Sequence, residues 1–122
     1  MADKISNYEY RAPRFRADFR LWVQTGGRQP ELLDARCIDL SEDGLAAEIL
    51  APAINETLEI GARVLLIMTL PGNSTATKLA ARVTNHQAAA CGFAFIFSSK
   101  AEQNYIHDYF DLHHPSVNRT PE

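Results

Sequence analysis

The side chains of this sequence best equipped for recognition chemistry are a group of arginines and a short run of small polar residues. Arg11, Arg14 and Arg16 stand together in the hexapeptide RAPRFR. Guanidinium groups clustered in this way present forked donors that match phosphate oxygens and the O6/N7 edge of guanine. The same residues would also serve as ordinary charges on a solvated arm. The second run is Asp39-Leu40-Ser41-Glu42-Asp43-Gly44, a D-x-S-x-x-G pattern. Its carboxylate and hydroxyl can hydrogen-bond a ligand, or bind the backbone of their own turn, with Gly44 freeing the chain to bend. Taken singly, each run admits both readings.

The charge distribution narrows the partner. Most of the 12 cationic residues are arginines, and Arg11, Arg14, Arg16, Arg20 and Arg28 all fall before residue 30. That preference suits planar, bidentate recognition more than diffuse attraction. The formal net charge is −3, which opposes non-specific duplex binding, normally the work of a basic domain. A generic nucleic-acid-binding barrel would account for the arginines, but the interleaved aromatics of a single-strand binder are missing. No nucleic acid partner is expected.

Enzyme chemistry finds no footing. Asp39, Ser41 and a histidine could be imagined as a triad, yet nothing in the spacing resembles a nucleophile elbow or an oxyanion hole. No phosphate-binding glycine loop is present. His86 and His107 have no catalytic neighbour. His113 and His114 adjoin without acidic or cysteine partners at ligand spacing, so they are expected to be a solvated helix end and not a metal site. Neither a metal nor a cofactor is expected. Cys37 and Cys91 fall in apolar stretches and are expected to be reduced, buried thiols. The opening MADKISNYE lacks the apolar run of a secretory leader, and Val64 to Met68 is too short an apolar run to span a membrane. A cytoplasmic protein is expected, in which the sequons at Asn55, Asn73 and Asn118 carry no meaning.

These side chains must be positioned by a small β structure. A chain of 122 residues that is 46% hydrophobic supports one domain with one modest core. Phe19, Leu21 and Val23 alternate with Arg20, Trp22 and Gln24, which predicts a first strand just after RAPRFR. TGGRQP follows as a turn, with Gly26-Gly27 supplying positive φ. Leu33, Ala35 and Cys37 predict a second strand to about Asp39, and Leu45, Ala47 and Ile49 a third. Ala51 to Glu59 is expected to be a long loop. Arg63 to Leu70 is the strongest strand and ends at the turn residues Pro71-Gly72-Asn73. Leu79, Ala81 and Val83 predict a fifth strand, and Phe93, Phe95 and Phe97 a sixth that aims its rings at one core. Strands so connected make an antiparallel barrel or sandwich. A helix is expected from about Lys100 to His113, capped by Ser98 or Ser99, with Tyr105, Tyr109 and Leu112 at helical spacing and Pro115 ending it.

The arginine run followed by the D-x-S-x-x-G turn resembles the PilZ family, which carries R-x-x-x-R before its first strand and [D/N]-x-S-x-x-G after its second. Gly61-Ala62-Arg63-Val64, the stretch LAARVTNH and CGFAFIF are similar to that family's later strands. The resemblance implies a six-stranded antiparallel β-barrel with a C-terminal α-helix, spanning residues 10–113. Residues 1–9 would then be a flexible lead and 114–122 a disordered tail. It also implies cyclic di-GMP as ligand, with arginines gripping guanine edges and phosphates and the turn holding a guanine on the barrel surface. Carried over, the ligand-binding residues are Arg11, Arg14, Arg16, Asp39, Ser41 and Gly44. Two departures stand out. With Arg14 as the second motif arginine, the first falls on Tyr10, so one bidentate contact worth roughly 1–3 kcal/mol is missing. Arg16-x-x-x-Arg20 fits formally, but Arg20 belongs to the alternating strand. Asn85 also stands where some relatives place an aromatic residue near the ligand.

The expected function is that of a small stand-alone receptor for cyclic di-GMP, a monomer or weak homodimer. Its arginine arm would order on binding and present a new surface to a downstream protein. The alternative is a PilZ-like interaction module that no longer binds nucleotide, which Tyr10 favours and the intact turn motif opposes.

Overall fold

The computed structural model describes residues 14–50, 58–87 and 90–113. The expected flexible lead at 1–9, Tyr10, Arg11, most of the 51–59 loop and the tail at 114–122, with His114 and the sequons at Asn55 and Asn118, lie outside these.

The strands are β1 (Phe15–Thr25), β2 (Leu32–Leu40), β3 (Gly44–Ile49), β4 (Arg63–Met68), β5 (Thr77–Gln87) and β6 (Ala90–Ile96), and the helix α1 is Lys100–His113. They close into an antiparallel barrel in the order β1-β2-β3-β6-β5-β4. The open choice between barrel and sandwich is therefore settled as barrel. Period-two alternation drives the closure: Leu21, Val23, Leu33, Ala35, Cys37, Leu45, Ala47, Leu66, Leu79, Ala81, Val83 and Phe93 all point inward and are buried. Of the three rings expected in the core from β6, Phe93 is buried, whereas Phe95 and Phe97 are half-buried and Phe97 lies past the strand end.

The turns follow their residues. Pro71-Gly72 forms the centre of a type II turn, with Gly72 at φ 91° and the Asn73 amide donating to the Leu70 carbonyl at 2.9 Å. The β1–β2 connection is wider than a tight hairpin. Only Gly27 of the glycine pair takes a positive φ, and Thr25 closes the loop by exchanging bonds with Glu31.

Helix α1 has the bounds its sequence predicted. Ser99 caps it by accepting from the Glu102 amide at 3.1 Å, while the Glu102 carboxylate reaches back to the Ser98 amide at 2.7 Å. Its buried face is Ile106, Tyr109 and Phe110, and not the expected Tyr105–Tyr109–Leu112 stripe. Tyr105 stays at the rim, where its hydroxyl accepts from Asn73 and Thr77, and Leu112 is 76% exposed. Phe110 meets the Phe15 ring at 5.6 Å and Tyr109 donates to the Pro71 carbonyl at 3.0 Å. These contacts seat the helix on the barrel end that also carries the β2–β3 turn. Among the described residues no helix is long and apolar enough to cross a membrane.

Candidate functional site

The D-x-S-x-x-G run is the turn between β2 and β3, and its geometry begins one residue earlier. Ile38 has no partner where β2 pairs with β3, because Cys37 faces Ala47 and Asp39 faces Ala46. This bulge shifts the parity of the strand: Cys37 and Leu40 both point inward, and Asp39 between them is turned outward. Without the extra residue Asp39 would occupy an inward position.

Within the turn, Ser41 is fully buried. Its amide donates to the Gly44 carbonyl at 2.8 Å, and its hydroxyl lies 2.7 Å from the Asp43 carboxylate and 3.1 Å from the same carbonyl. The Asp43 amide in turn donates to the Ser41 hydroxyl at 3.3 Å. The Ser41 hydroxyl is engaged inside the turn, and what it does is hold the turn's shape. Gly44 is needed for a different reason from the one its turn position implied. Its φ is not positive; instead a Cβ there would sit 2.3 Å from the Phe93 carbonyl oxygen on β6. Glycine lets β3 and β6 approach at this point.

The arginines divide. Arg14 lies just before β1, and its Nε donates to Asp39 Oδ1 at 3.1 Å, joining the two sequence motifs across the turn. Arg16 was expected on the arm but lies inside β1, directly opposite Asp39, with its side chain exposed. The alternation of Phe15, Ala17 and Phe19 extends the strand back to Phe15, which moves Arg16 onto the barrel wall. Arg20, as anticipated, is a strand residue, paired with Asp34.

The pairing registers extend the site across the outer wall. Arg16, Asp39, Ala46, Gly92 and Asn85 form one row over β1, β2, β3, β6 and β5, and Gly44, Ala94 and Arg82 form the next. A second bulge at Thr84 turns Asn85 outward beside Gly92, where a Cβ would come within 2.8 Å of the Asn85 Nδ2. The result is a floor of Gly44, Ala46, Gly92 and Ala94, flanked by Arg14, Arg16 and Asp39 on one side and by Asn85 and Arg82 on the other. Ala46 and Ala94 offer only methyl groups there, while Gly44 and Gly92 are buried and the Asn85 side chain lies over Gly92. Sequence reasoning missed the floor and Arg82. The available signal was that every outward position of CGFA and GLAA is glycine or alanine where a solvated strand face would carry polar residues.

Beneath the turn, Cys37 donates its thiol to the Asp39 carbonyl at 3.2 Å, and burial together with the Asp39 charge pushes the thiol up to about 12. Cys91 is raised by burial as well, and both thiols are free. His107 of α1 stands 4.0 Å from Glu42 of the turn and packs edge-on against Phe97. Among the described residues no group of histidines, cysteines and carboxylates could hold a metal ion.

The sequence matches the PilZ domain family over residues 10–112, and the chain belongs to that family. The barrel is similar to the PilZ domain of CeSA from a cellulose-synthesizing bacterium, with a TM-score of 0.67 at 20% identity, covering 84% of this chain and 100% of that one. It is also similar to the PilZ domain of YcgR from Escherichia coli, whose structure contains c-di-GMP, with a TM-score of 0.63 at 18% identity, covering 87% of this chain and 92% of that one. The Bacillus subtilis inhibitor of motility gives a TM-score of 0.58 at 18% identity. There 91% of this chain is covered but only 54% of the larger protein. At these identities the likeness is one of fold. No curated protein matches the sequence.

Proposed function

We propose that this PilZ domain is a receptor for cyclic di-GMP, bound on the outer wall around the β2–β3 turn. The observation that carries the reading is the Arg14–Asp39 pair, which sets a forked donor and an outward carboxylate beside a face of glycines and alanines. Asp39 accepts from a guanine N–H edge, and Arg14 and Arg16 donate to guanine or phosphate acceptors, assisted by Arg11 from the preceding segment. Ser41 and Gly44 act by holding the turn and the strand approach that set this geometry. Both members of the Arg14–Asp39 pair are about one-third exposed, so the pair is worth about 1 kcal/mol or less and yields readily to a ligand. Binding draws the arginine segment over the nucleotide and creates a surface that a downstream protein reads.

Calorimetric titration with cyclic di-GMP tests the reading. Saturable binding by the wild-type chain, lost in Arg14→Ala and Asp39→Ala while both remain folded, is the expected result. Absence of heat from a folded wild-type protein supports the second reading, a PilZ-like interaction module without nucleotide, which Tyr10 in place of the first motif arginine favours.

A further inference from the structure

Beyond the turn and the N-terminal arginines, the outer wall holds a second pair of arginines that neither motif includes. Arg82 on β5 lies directly opposite Arg63 on β4, and both are exposed. Like charges facing each other across an antiparallel pair repel. Two other strand arginines are answered by carboxylates, Arg20 by Asp34 and Arg36 by Asp18 and Glu48, whereas Arg16 faces Asp39 across β1 and β2 without a like charge opposite it. Among the described residues neither Arg63 nor Arg82 has an ion-pair partner. The repulsion is therefore left standing at one place, and that place borders the floor. Arg82 shares its register row with Ala94 and Gly44, at the far side from Asp39. From β2 to β5 the wall is three strand spacings wide, about 14 Å, a span that arginine side chains from its two margins can shorten.

We infer that Arg82, with Arg63 behind it, is a second anchor of this site and takes a phosphodiester oxygen of the bound cyclic dinucleotide. The inference rests on the proposed nucleotide-binding reading. A phosphate between the two guanidinium groups and the floor relieves their repulsion, so the contact gains on binding what the free protein lacks. It also supplies from β5 a cationic contact that Tyr10 withholds from the N-terminal motif.

The test titrates cyclic di-GMP into wild type, Arg82→Gln, Arg82→Lys, Arg14→Ala and, as a control for net charge, Arg28→Gln in the β1–β2 loop. Arg82→Gln is expected to weaken binding about tenfold and to make it less sensitive to salt, because one screened charge contact is lost. Arg82→Lys should recover most of that loss, because an ammonium serves a phosphate as a point charge but cannot replace a bidentate guanine contact. Arg28→Gln should bind as wild type does. Binding by wild type that Arg14→Ala removes and Arg82→Gln leaves unchanged overturns the role of Arg82 alone. A loss in Arg82→Gln that lysine does not recover overturns the phosphate assignment. A folded wild type that does not bind overturns the nucleotide reading, and this inference with it.

Discussion

Two outer walls of one barrel are built from the same pleat and differ in what they leave unsatisfied. The β3–β6 wall carries only the small residues Gly44, Ala46, Gly92 and Ala94, and Arg16 and Arg82 at its margins have no ion-pair partners among the described residues. The β1–β4 wall carries Trp22, Leu65 and Ile67, with Trp22 44% exposed, and its Arg20 is paired with Asp34. The hydrogen bond and charge of Asp34 hold Arg20 still more firmly protonated. One wall is closed by its own side chains, and the other keeps area and charge for something else. The contrast teaches that a barrel exterior is to be read by what its strands omit as well as by the motif residues beside it.

The contrast can be broken most severely at Gly44. Gly44→Ala forces a Cβ to within 2.3 Å of the Phe93 carbonyl, and a loss of roughly 1–3 kcal/mol is expected, read as a lower urea midpoint at constant m-value. An unchanged midpoint would mean that β3 and β6 can part here without cost.

A second loss, of comparable size, is expected in alkali and centres on the thiol behind this wall. The folded chain keeps the Cys37 proton to about 12, while the unfolded chain releases it near the ordinary 9.0. Stability is therefore intact below about pH 9 and falls as pH rises from there towards 12, by about 1.4 kcal/mol per pH unit at the steepest. Cys91 and Tyr109, both raised mainly by burial, add to the fall with the same sign. Melting temperatures measured across this range should flatten in Cys37→Ala, and an equally steep fall in that variant would remove Cys37 as a cause.

Filling the floor separates binding from folding. Ala46→Leu places a large side chain between Asp39 and Gly92, and should weaken cyclic di-GMP by more than about tenfold while leaving the melting temperature nearly unchanged. Retained affinity would place the ligand elsewhere. The smallest effect belongs to the other wall: Asp34→Asn should cost less than about 1 kcal/mol and leave nucleotide binding untouched, which a parallel titration checks.

The fold was legible where alternation and turn residues agree. Inward positions such as Leu21, Val23, Leu45, Ala47 and Phe93 were readable because one face of each strand is apolar. The helix limits followed from Ser99 at one end and the approach of Pro115 at the other. The helix face was not legible, because Tyr105–Tyr109–Leu112 and Ile106–Tyr109–Phe110 are overlapping stripes that share Tyr109. What decides between them is the wet rim at Asn73 and Thr77, which satisfies the Tyr105 hydroxyl. For the site, the motif residues could be named from sequence, but their roles could not be separated. Ser41 looks outwardly chemical and is buried, whereas Asp39 is aimed outward only by the bulge at Ile38. The row from Arg16 to Asn85 was beyond reach because it depends on registers in which the bulges at Ile38 and Thr84 each reverse strand parity.

Closure of the barrel has a consequence for how such a surface can change. On the wall of β2, β3 and β6 each strand is paired on both sides over most of its length, so a visitor there finds no unclaimed row of backbone donors and acceptors and cannot dock by extending the sheet. Recognition must be written in side chains alone. Outward positions such as Ala46, Arg82 and Asn85 can then be exchanged one at a time, altering which visitor is held and how tightly, while the hydrogen-bonded ring beneath them stays the same.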